Sequence, residues 1–504
     1  MKLNRRNSYT YLHIIIRSNL LFLDGYAFIS PNIGGFLNMG HKADQPNIVF
    51  IMSDDHAAHA MSCYDSKINE TPNLDRIANE GMRFDNAFCT NSICAPSRAA
   101  ILTGKYNHVN GVKTLGDKFD SRQQTVQRLL KDNGYQTALV GKWHLGHGGH
   151  HDPAGFDYWS VLPGQGDYHD PKMYEMGEEK TFDGYVTDII TDLSLDWLRQ
   201  RDEDKPFMLM LHHKAPHRPW DPDEKHMHMY ADVDIPEPET FHDDYENRSE
   251  AAKEATMRID RDLNKRDLKV DPPEGLTDAE LKSWKYQRYI KDYLRVIASI
   301  DDNVGRVLDY LDEQNLTEDT IIVYTSDQGF FLGDHGWYDK RFMYEESLRM
   351  PFIVRYPRAI KPGSVTDDFA LNVDFAETFL DYAGVDTPDD MQGRSLRPVL
   401  EDRTPDDWQT SMYYRYWEHL SSPHQVGAHY GIRTHDYKLI YYYGEALGAS
   451  MAKDESREPE WELFDLKKDP YEMNNVYDDP DYRERVEGLK KELYRLKKDV
   501  QDDE

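Results

Sequence analysis

The chain has 504 residues, of which 60 are Lys or Arg and 91 are Asp or Glu, and its formal net charge is −31. This balance disfavours nucleic acid as a partner, because affinity for nucleic acid depends on Lys and Arg that neutralise phosphates. An anionic substrate would need a local basic pocket, since the net charge repels it. Three cysteines and an aromatic content of 12% exclude a disulfide-stapled mini-domain and a disordered chain. The length predicts two to four structural units.

Residues 1–45 have the features of an N-terminal extension or of an atypical signal segment. Basic residues at the start precede a hydrophobic patch over residues 11–28, as in a secretory signal. Arg17 and Asp24 interrupt the patch, so it lacks the about 20 apolar residues that an integral membrane segment requires. If the patch is an export signal, the protein is periplasmic or secreted, and otherwise it is an ordinary extension. In both interpretations the folded sequence begins near Pro46.

Short apolar runs alternate with helical segments in the following three hundred residues. Such runs suit strands that are buried on both faces of a sheet. Strands are predicted at residues 46–52, 137–144, 206–212 and 320–327, and helices at residues 71–81 and 125–133. Thr71 is the predicted N-cap of the first helix, with Pro72 at its first position. Strands alternating with helices indicate an α/β domain with a large, mostly parallel sheet flanked by helices.

The remaining sequence divides into a polar stretch and a C-terminal region of different character. Residues 221–276 are charged and poor in aliphatic residues, which predicts a polar surface insertion. Thr277 and Glu280 then form a capping-box pattern before a long amphipathic helix. Residues 401–504 contain aromatic, strand-like segments and a Lys/Glu-rich helix, which predicts a smaller antiparallel sheet plus a helix. We therefore expect a main domain over residues 46–400 and a small α+β subdomain after it.

Polar clusters follow the predicted strands, at the edge of the sheet where ligands collect in folds of this kind. Asp54 and Asp55 follow the first strand, and Asp327 and Gln328 follow the last. Such oxygen donors suit Ca²⁺ or Mg²⁺ better than zinc, which favours His and Cys. Taken alone, an Asp-Asp pair is more often a solvated turn. Its position after a buried strand is what favours a metal site.

The densest chemical signal is the segment CAPSR, which runs from Cys94 to Arg98 and continues to Thr103 and Gly104. Pro96 fits the first turn of a helix. Cys94 would then lie at the positive helix end, with Arg98 four residues later on the same side. A nucleophile beside a guanidinium and a helix N-terminus suits an anionic group. For an isolated cysteine, a buried structural role is the alternative.

The whole segment matches the pattern C-x-P-S-R-x-x-x-x-T-G, and the chain resembles the sulfatase family in this and further motifs. In family order these are TPNLDRIANEG, CAPSRAAILTG, GKWHLG, SDQG and WELFDLKKDPYEMNNVY. The resemblance extends over residues 46–477. It implies the alkaline-phosphatase-like α/β fold, with the main domain as the catalytic domain. It also implies a sulfuric ester hydrolase that removes sulfate from its substrate.

The resemblance further implies the cofactors and partners of such an enzyme. Cys94 would be oxidised to Cα-formylglycine by a formylglycine-generating maturation enzyme. One Ca²⁺, with Mg²⁺ as the less expected ion, would complete the site. The implied metal ligands are Asp54, Asp55, Asp327, Gln328 and the modified Cys94. Many sulfatases have Asn where this chain has Gln328, which carries the same amide chemistry.

The family pattern also assigns catalytic roles. The implied catalytic residues are Cys94, Arg98, Lys142, His144, His217 and Lys340. Lys142 and His144 lie two apart on a predicted strand and thus on one face. By resemblance, Lys142 and Lys340 bind sulfate oxygens, and His144 contacts the formylglycine hydroxyl. His217 matches the histidine that assists the leaving alcohol, where proton donation matters.

Aromatic and basic residues in the loops around these motifs suggest a sulfated carbohydrate as the substrate. The candidate substrate-binding residues are Lys214, Arg218, Trp220, His335, Trp337 and Arg415. The competing interpretation is that the loop aromatics pack the two domains together. The chain is most similar to bacterial polysaccharide sulfatases, whose substrate classes include ulvan, mucin and glycosaminoglycans.

Two other functions stay open at this point. A phosphodiesterase or phosphonate monoester hydrolase of the same superfamily would share the fold and, in some members, the modified cysteine. A catalytically inactive carbohydrate-binding protein would result if Cys94 stayed unmodified.

Overall fold

The described part of the chain, residues 45–504 of a computed structural model, contains eighteen strands and twelve α-helices. The strands are β1 Asn47–Ser53, β2 Met82–Phe84, β3 Ala87–Phe88, β4 Gln136–Lys142, β5 Tyr158–Leu162, β6 Lys172–Glu175, β7 Glu178–Thr181, β8 Phe207–His212, β9 Thr320–Ser326, β10 Phe331–Leu332, β11 Tyr338–Asp339, β12 Phe352–Arg355, β13 Ser364–Thr366, β14 Ala370–Leu371, β15 Ser411–Tyr416, β16 His429–Thr434, β17 Tyr437–Tyr442 and β18 Glu460–Asp465. The helices are α1 Pro72–Asn79, α2 Cys94–Thr103, α3 Asn107–Asn110, α4 Val126–Asp132, α5 Val186–Gln200, α6 Glu250–Glu254, α7 Lys265–Leu268, α8 Asp278–Glu313, α9 Glu345–Leu348, α10 Asp374–Ala383, α11 Arg397–Leu400 and α12 Arg483–Asp499.

The interpretation of the N-terminal patch as a signal or an extension falls on residues 1–44, outside the described residues. Within the described range, no helix combines the length and the apolar character that a bilayer span requires.

A ten-stranded mixed sheet organises the main domain, in the order β13-β2-β12-β9-β1-β8-β4-β5-β6-β7. The central run from β9 to β5 is parallel, as predicted, whereas β12, β6 and β7 pair antiparallel with their neighbours. The central strands are buried on both faces, because Phe50 belongs to one hydrophobic core and Ile51 to the other. Helices cover both faces of the sheet, and its carboxyl edge is therefore left for the site.

The predicted helix starts agree with the structure. Pro72 begins α1 after Thr71, and the Thr71 hydroxyl bonds Ser62 and caps no N–H of the helix. Thr277 and Glu280 make both hydrogen bonds of a capping box, and α8 follows for 36 residues.

The segment 221–276 differs from the predicted polar insertion. It has little regular structure, yet Phe241, Met257 and Ile259 are fully buried. The segment is also bonded to the chain beside the site, since the Tyr338 N–H donates to the Met257 carbonyl at 2.9 Å. Its few apolar residues pack into the core and hold the segment on the protein. A low aliphatic content therefore did not mean that the segment is exposed.

The C-terminal region forms the predicted antiparallel sheet, in the order β15-β16-β17-β18, with α12 packed on it. The strand β15 was not predicted. Buried Glu462 on β18 ties this sheet to the rest of the chain, because its carboxylate accepts from Ser249 N at 2.8 Å and from the Tyr344 hydroxyl at 3.1 Å. The domain boundary near residue 400 stays a prediction.

The end of α2 is held against a buried carboxyl on α10. Gly104, at φ +62°, ends α2, and a Cβ at this position would lie 2.8 Å from the Glu377 carboxyl oxygens. Glu377 accepts from Gly393 N at 2.7 Å, and its second oxygen has no hydrogen-bond partner in the described chain. Burial, with the nearby Asp374 charge, raises the pKa of Glu377 to about 8.

We predict that Glu377→Gln stabilises the protein at alkaline pH. Glu377 is protonated in the folded state up to about pH 8 but ionises near its ordinary pKa when unfolded. The wild-type protein therefore loses stability relative to the variant as pH rises from about 4.5 to about 8. The difference in melting temperature should reach on the order of 3 °C above pH 8 and become independent of pH below 4.5. Glu458→Gln, at an exposed position, should show no such window; a pH-independent difference for Glu377→Gln would contradict the prediction.

Candidate active site

The parallel pairing of β1 and β9 brings the predicted acidic residues together. Ser53 and Ser326 are in register at the ends of these strands, so the residues that follow both strands emerge side by side. The Asp55 N–H donates to Asp327 Oδ1 at 3.2 Å. Asp55 has φ +72°, a conformation that Asp adopts at a cost. Tyr293 holds it there, because its hydroxyl donates to the Asp55 carbonyl at 2.8 Å.

The helix α2 places Cys94 against these acids. Its sulfur and one carboxylate oxygen each from Asp54 and Asp327 all lie within 4.8 Å of one another. Burial, against the nearby charge of Lys142, raises the pKa of Cys94 to about 11. The unmodified thiol is therefore protonated near neutral pH and is not an activated nucleophile.

Three cations face the three carboxylates. Arg98 Nε donates to Asp327 Oδ2 at 3.0 Å. Lys340 Nζ donates to Asp55 Oδ1 at 2.5 Å. Lys142 Nζ donates to Asp54, and all six side chains are nearly inaccessible to solvent. The site thus has the cations that an anionic group requires, each in contact with a carboxylate.

Burial and neighbouring charges act differently on the three acids. Burial raises the pKa of Asp55 to about 6, although Lys340 opposes it. Burial and the charge of Asp54 raise the pKa of Asp327 to about 7. Burial also disfavours ionised Asp54, but Lys142 and other cations outweigh it and hold its pKa well below the ordinary value. Close carboxylates of this kind favour an added positive charge.

The oxygen atoms of this cluster fit a divalent cation. Asp54 Oδ1, Asp55 Oδ2 and Gln328 Oε1 are buried and accept no hydrogen bond within the described chain. Unsatisfied buried oxygens are unfavourable, and hard oxygen donors suit Ca²⁺ or Mg²⁺. Gln328 also donates to Asp55 Oδ1, so its amide oxygen is the atom left for a metal.

Two predicted histidines lie at the same centre. His217 Nε2 is 3.8 Å from Asp55 Oδ2. Its Nδ1 donates to the Arg218 carbonyl at 2.8 Å, so Nε2 is the atom that can exchange a proton with a substrate. His144 has φ +56°, and its buried Nδ1 has no partner in the described residues. Burial lowers the pKa of both histidines well below the ordinary value.

The geometry of β4 explains how Lys142 reaches the site. Gly141, paired with His212 on β8, lies so close that a Cβ would be 1.9 Å from the His212 carbonyl oxygen. The Lys142 carbonyl accepts from Arg98 Nη1 at 2.7 Å and makes a 3.2 Å contact with His212 Nδ1. The backbone after Gly141 is therefore held from two sides.

Gln165 is a site residue that sequence reasoning missed. Its Oε1 accepts from Lys142 Nζ at 2.5 Å. Gln165 lies in the loop after β5, next to β4 in the sheet. Gln165 lies in one of the loops around the motifs, but nothing in the sequence pattern there distinguishes the glutamine.

Two of the six candidate substrate-binding residues lie near this centre. Lys214 is buried two residues after β8, with Nζ 4.6 Å from the centre of the Tyr168 ring. Arg218 follows His217 and is one-fifth exposed, but its guanidinium is bound to Asp267 at 2.9 and 2.5 Å.

The other four candidates contact residues of the protein itself, and their role in substrate binding stays a prediction. Trp220 and Trp337 are fully buried: the first contacts Tyr289, and the second stacks on Tyr245. His335 bonds Asp243 at 3.1 Å. Arg415 bonds Asp502 at 2.6 Å and is 1% exposed. The packing interpretation of the loop aromatics accounts for these contacts.

Comparison with known proteins agrees with the geometry of the site. The family model "Sulfatase" matches residues 46–385, and the model "N-sulphoglucosamine sulphohydrolase, C-terminal" matches residues 333–499. An N-acetylglucosamine-6-O-sulfatase of Bacteroides thetaiotaomicron is 45% identical over 92% of this chain and 88% of its own length.

Solved structures give the same picture of the fold. One, determined in complex with its substrate D-glucosamine-2-N,6-O-disulfate, is 45% identical, has a TM-score of 0.85, and covers 91% of this chain and 99% of its own. A phosphonate monoester hydrolase of Silicibacter pomeroyi, at 22% identity, has a TM-score of 0.71 over 91% of this chain and 96% of its own. The second likeness concerns the fold alone.

We predict that divalent cations stabilise this protein through the acidic cluster. Adding Ca²⁺ to chelator-treated protein should raise its melting temperature by on the order of several degrees, because the ion binds the folded state. Asp54→Asn should abolish most of this rise. The control is Asp374→Asn, which removes a buried carboxylate of α10 that accepts hydrogen bonds from Leu371 N and Arg394 N. This variant should keep the full rise in melting temperature. An equal response of the two variants would contradict the assignment.

We predict that Gln165→Leu lowers kcat/KM by roughly tenfold, the size expected for loss of one hydrogen bond to a charged group. Lys142 would lose one of its two acceptors, since its Nζ donates to both Asp54 and Gln165. Gln123→Leu, which removes a partly buried amide bonded to the Asn110 carbonyl, is the control and should change kcat/KM little. Steady-state kinetics of both variants and the wild type with one sulfate ester gives kcat/KM. Equal values for Gln165→Leu and wild type would refute the role of Gln165.

Proposed function

The chain belongs to the sulfatase family, and we propose that this carbohydrate sulfatase removes the 6-O-sulfate of glucosamine residues in a sulfated glycan. Its enzyme class follows from the family match over 46–385 and the 45% identical relative. The proposed sulfate position is supported by the name of that relative and by the disulfated glucosamine in the similar structure. The observation that carries the proposal is the buried cluster of Cys94, three carboxylates and three cations.

Recognition of the sulfate group is assigned to Arg98, Lys142 and Lys340. These cations approach the centre from α2, β4 and the loop after β11. Their contacts with Asp327, Asp54 and Asp55 hold them in fixed positions before substrate arrives. Preorganised positive groups stabilise the charge of the transferring sulfuryl group in the transition state.

Proton transfer to the leaving alcohol is assigned to His217. An alkoxide is a poor leaving group, so protonation of the departing oxygen lowers the barrier. The bond from Nδ1 to the Arg218 carbonyl orients the ring and leaves Nε2 for the substrate oxygen. Because burial lowers the pKa of His217 well below its ordinary value, the Nε2 proton has to be taken up once the anionic ester is bound, since a nearby negative charge favours the protonated ring. His144, whose Nδ1 has no partner in the described chain, is the assigned base of the second half of the reaction.

The cofactors belong to the same proposal. Family membership implies a formylglycine at the cysteine position and a divalent metal. We assign the formylglycine to Cys94, with the maturation enzyme as a required partner, and Ca²⁺ to Asp54, Asp55, Asp327 and Gln328. When present, the formylglycine would supply a hydrated aldehyde as the nucleophile, and the ion would polarise it and a sulfate oxygen. The burial of the Cys94 thiol supports this, because burial raises the pKa of the thiol to about 11 and leaves it protonated near neutral pH.

The remaining assignments concern architecture and location. We propose residues 46–400 as the catalytic domain and 401–504 as its subdomain. We further propose that the N-terminal patch directs the protein to the periplasm or the exterior, where polymeric glycans are accessible.

We predict that the enzyme isolated from its natural host releases sulfate from N-acetylglucosamine 6-sulfate. Cys94→Ala should abolish release, because no formylglycine can form. Mass spectrometry of the peptide with residue 94 should show the exchange of sulfur for oxygen and the loss of two hydrogens. Ion chromatography of free sulfate is the measurement.

The matched controls separate the competing functions. N-acetylglucosamine 3-sulfate tests the sulfate position, and N-acetylglucosamine 6-phosphate and an aryl phosphonate monoester test the phosphorus alternatives. Faster release from either phosphorus compound would replace the proposal with the phosphonate or phosphodiester hydrolase. An unmodified Cys94 in the host protein, together with no turnover, would support the inactive binding protein.

A further inference from the structure

We propose that Lys214 is a fourth cation of the pocket and binds an oxygen of the substrate's sulfate group. This inference rests on the proposed function and adds a residue to its recognition of the anion. Three features of Lys214 support it: an unmatched charge, an unmet hydrogen-bond requirement and the position of Tyr168.

The charge of Lys214 is not matched by an acid of the cluster. Arg98, Lys142 and Lys340 each contact a carboxylate within the cluster. Their three positive charges are matched by the three acids. For Lys214, no carboxylate of the described residues makes an ion pair or a hydrogen bond with Nζ. Lys214 is therefore a cation of the centre whose charge no acid of the cluster matches, and an anionic ligand can pair with it.

The ammonium group of Lys214 is buried. Lys214 is 1% exposed, and Nζ has no hydrogen-bond acceptor in the described part of the chain. A buried lysine without an acceptor is strongly unfavourable in an apolar setting. Burial, with the like charge of Lys142, lowers the pKa of Lys214 to about 8, so the group is still mostly protonated at neutral pH. A ligand that brings an acceptor removes the penalty.

Tyr168 positions the ammonium group of Lys214. Nζ lies 4.6 Å from the centre of the Tyr168 ring, within the range of a cation–π contact. The Tyr168 hydroxyl donates to the His217 carbonyl at 2.6 Å. The ring stabilises the ammonium but accepts no conventional hydrogen bond, so its N–H groups stay available. Through Tyr168, Lys214 is coupled to the residue assigned to the leaving group.

The test compares Lys214→Met with Lys214→Arg and with a matched lysine elsewhere. Lys285→Met is the control: this lysine of α8 is also buried, but its Nζ donates to the Asp260 carbonyl at 2.7 Å. Melting curves first show that each variant is folded, and Lys214→Gln replaces the methionine variant if that one is not. Kinetics with N-acetylglucosamine 6-sulfate and inhibition by inorganic sulfate are then measured.

We expect Lys214→Met to raise both KM and the inhibition constant of inorganic sulfate by about tenfold, with kcat changed less than about threefold. Lys214→Arg should recover part of the loss, and Lys285→Met should change neither constant. An unchanged inhibition constant in Lys214→Met, or an effect on kcat without one on KM, would overturn the inference.

A second measurement is independent of turnover. Calorimetric binding of inorganic sulfate to Cys94→Ala should weaken about tenfold when Lys214→Met is added. If this weakening occurs but the wild-type enzyme releases no sulfate from any ester, the proposed function fails and the ligand assignment stands. If the wild-type enzyme is active and sulfate binding does not weaken, the ligand assignment fails and the function stands.

Discussion

The need to neutralise buried charge at one edge of the sheet governs this structure. Asp54, Asp55 and Asp327 lie at that edge with almost no access to water, where isolated carboxylates are strongly disfavoured. Arg98, Lys142 and Lys340 compensate them, and the carboxylate oxygens left without donors favour a metal ion. The same constraint makes the site selective for anions, because an anionic group enters against cations that are already fixed. The cations that neutralise the buried carboxylates therefore serve both the stability of the fold and the binding of an anion.

The scaffold satisfies this requirement through elements that are distant in the sequence. Parallel pairing aligns the ends of β1 and β9, α2 adds the cysteine and the arginine, and the loop after β11 adds a lysine. Several of the residues concerned have positive φ angles, among them Asp55, His144 and Asp339. Non-glycine residues adopt this region at a cost and are concentrated at functional sites. The Tyr293 hydroxyl, which donates to the Asp55 carbonyl, keeps the first of these conformations in place.

The loops outside the sulfate pocket follow a different physical rule. Trp337 stacks on Tyr245 and Phe342, and Arg415 binds Asp502 near the end of the chain. Trp337 joins the segment 221–276 to the chain after β10, and Arg415 ties β15 to the last residues of the C-terminal region. Their composition resembles that of a carbohydrate-binding surface, since aromatic and charged side chains serve both purposes. The partners of each side chain distinguish the two uses, and these partners depend on the complete fold.

The sequence by itself determined the α/β class, four of the five strands of the central parallel run within two residues, and the capping box of α8. These features have local signals, because hydrophobic period, caps and short motifs are written in neighbouring residues. The metal and sulfate residues implied by the resemblance stay a proposal. Only the tertiary structure decided that Gln165 contacts Lys142, that Lys214 has no carboxylate partner in the described chain, and that Trp220 is a core residue. Each of these depends on side chains from remote segments meeting in space, and no local pattern encodes which acceptor a buried ammonium finds.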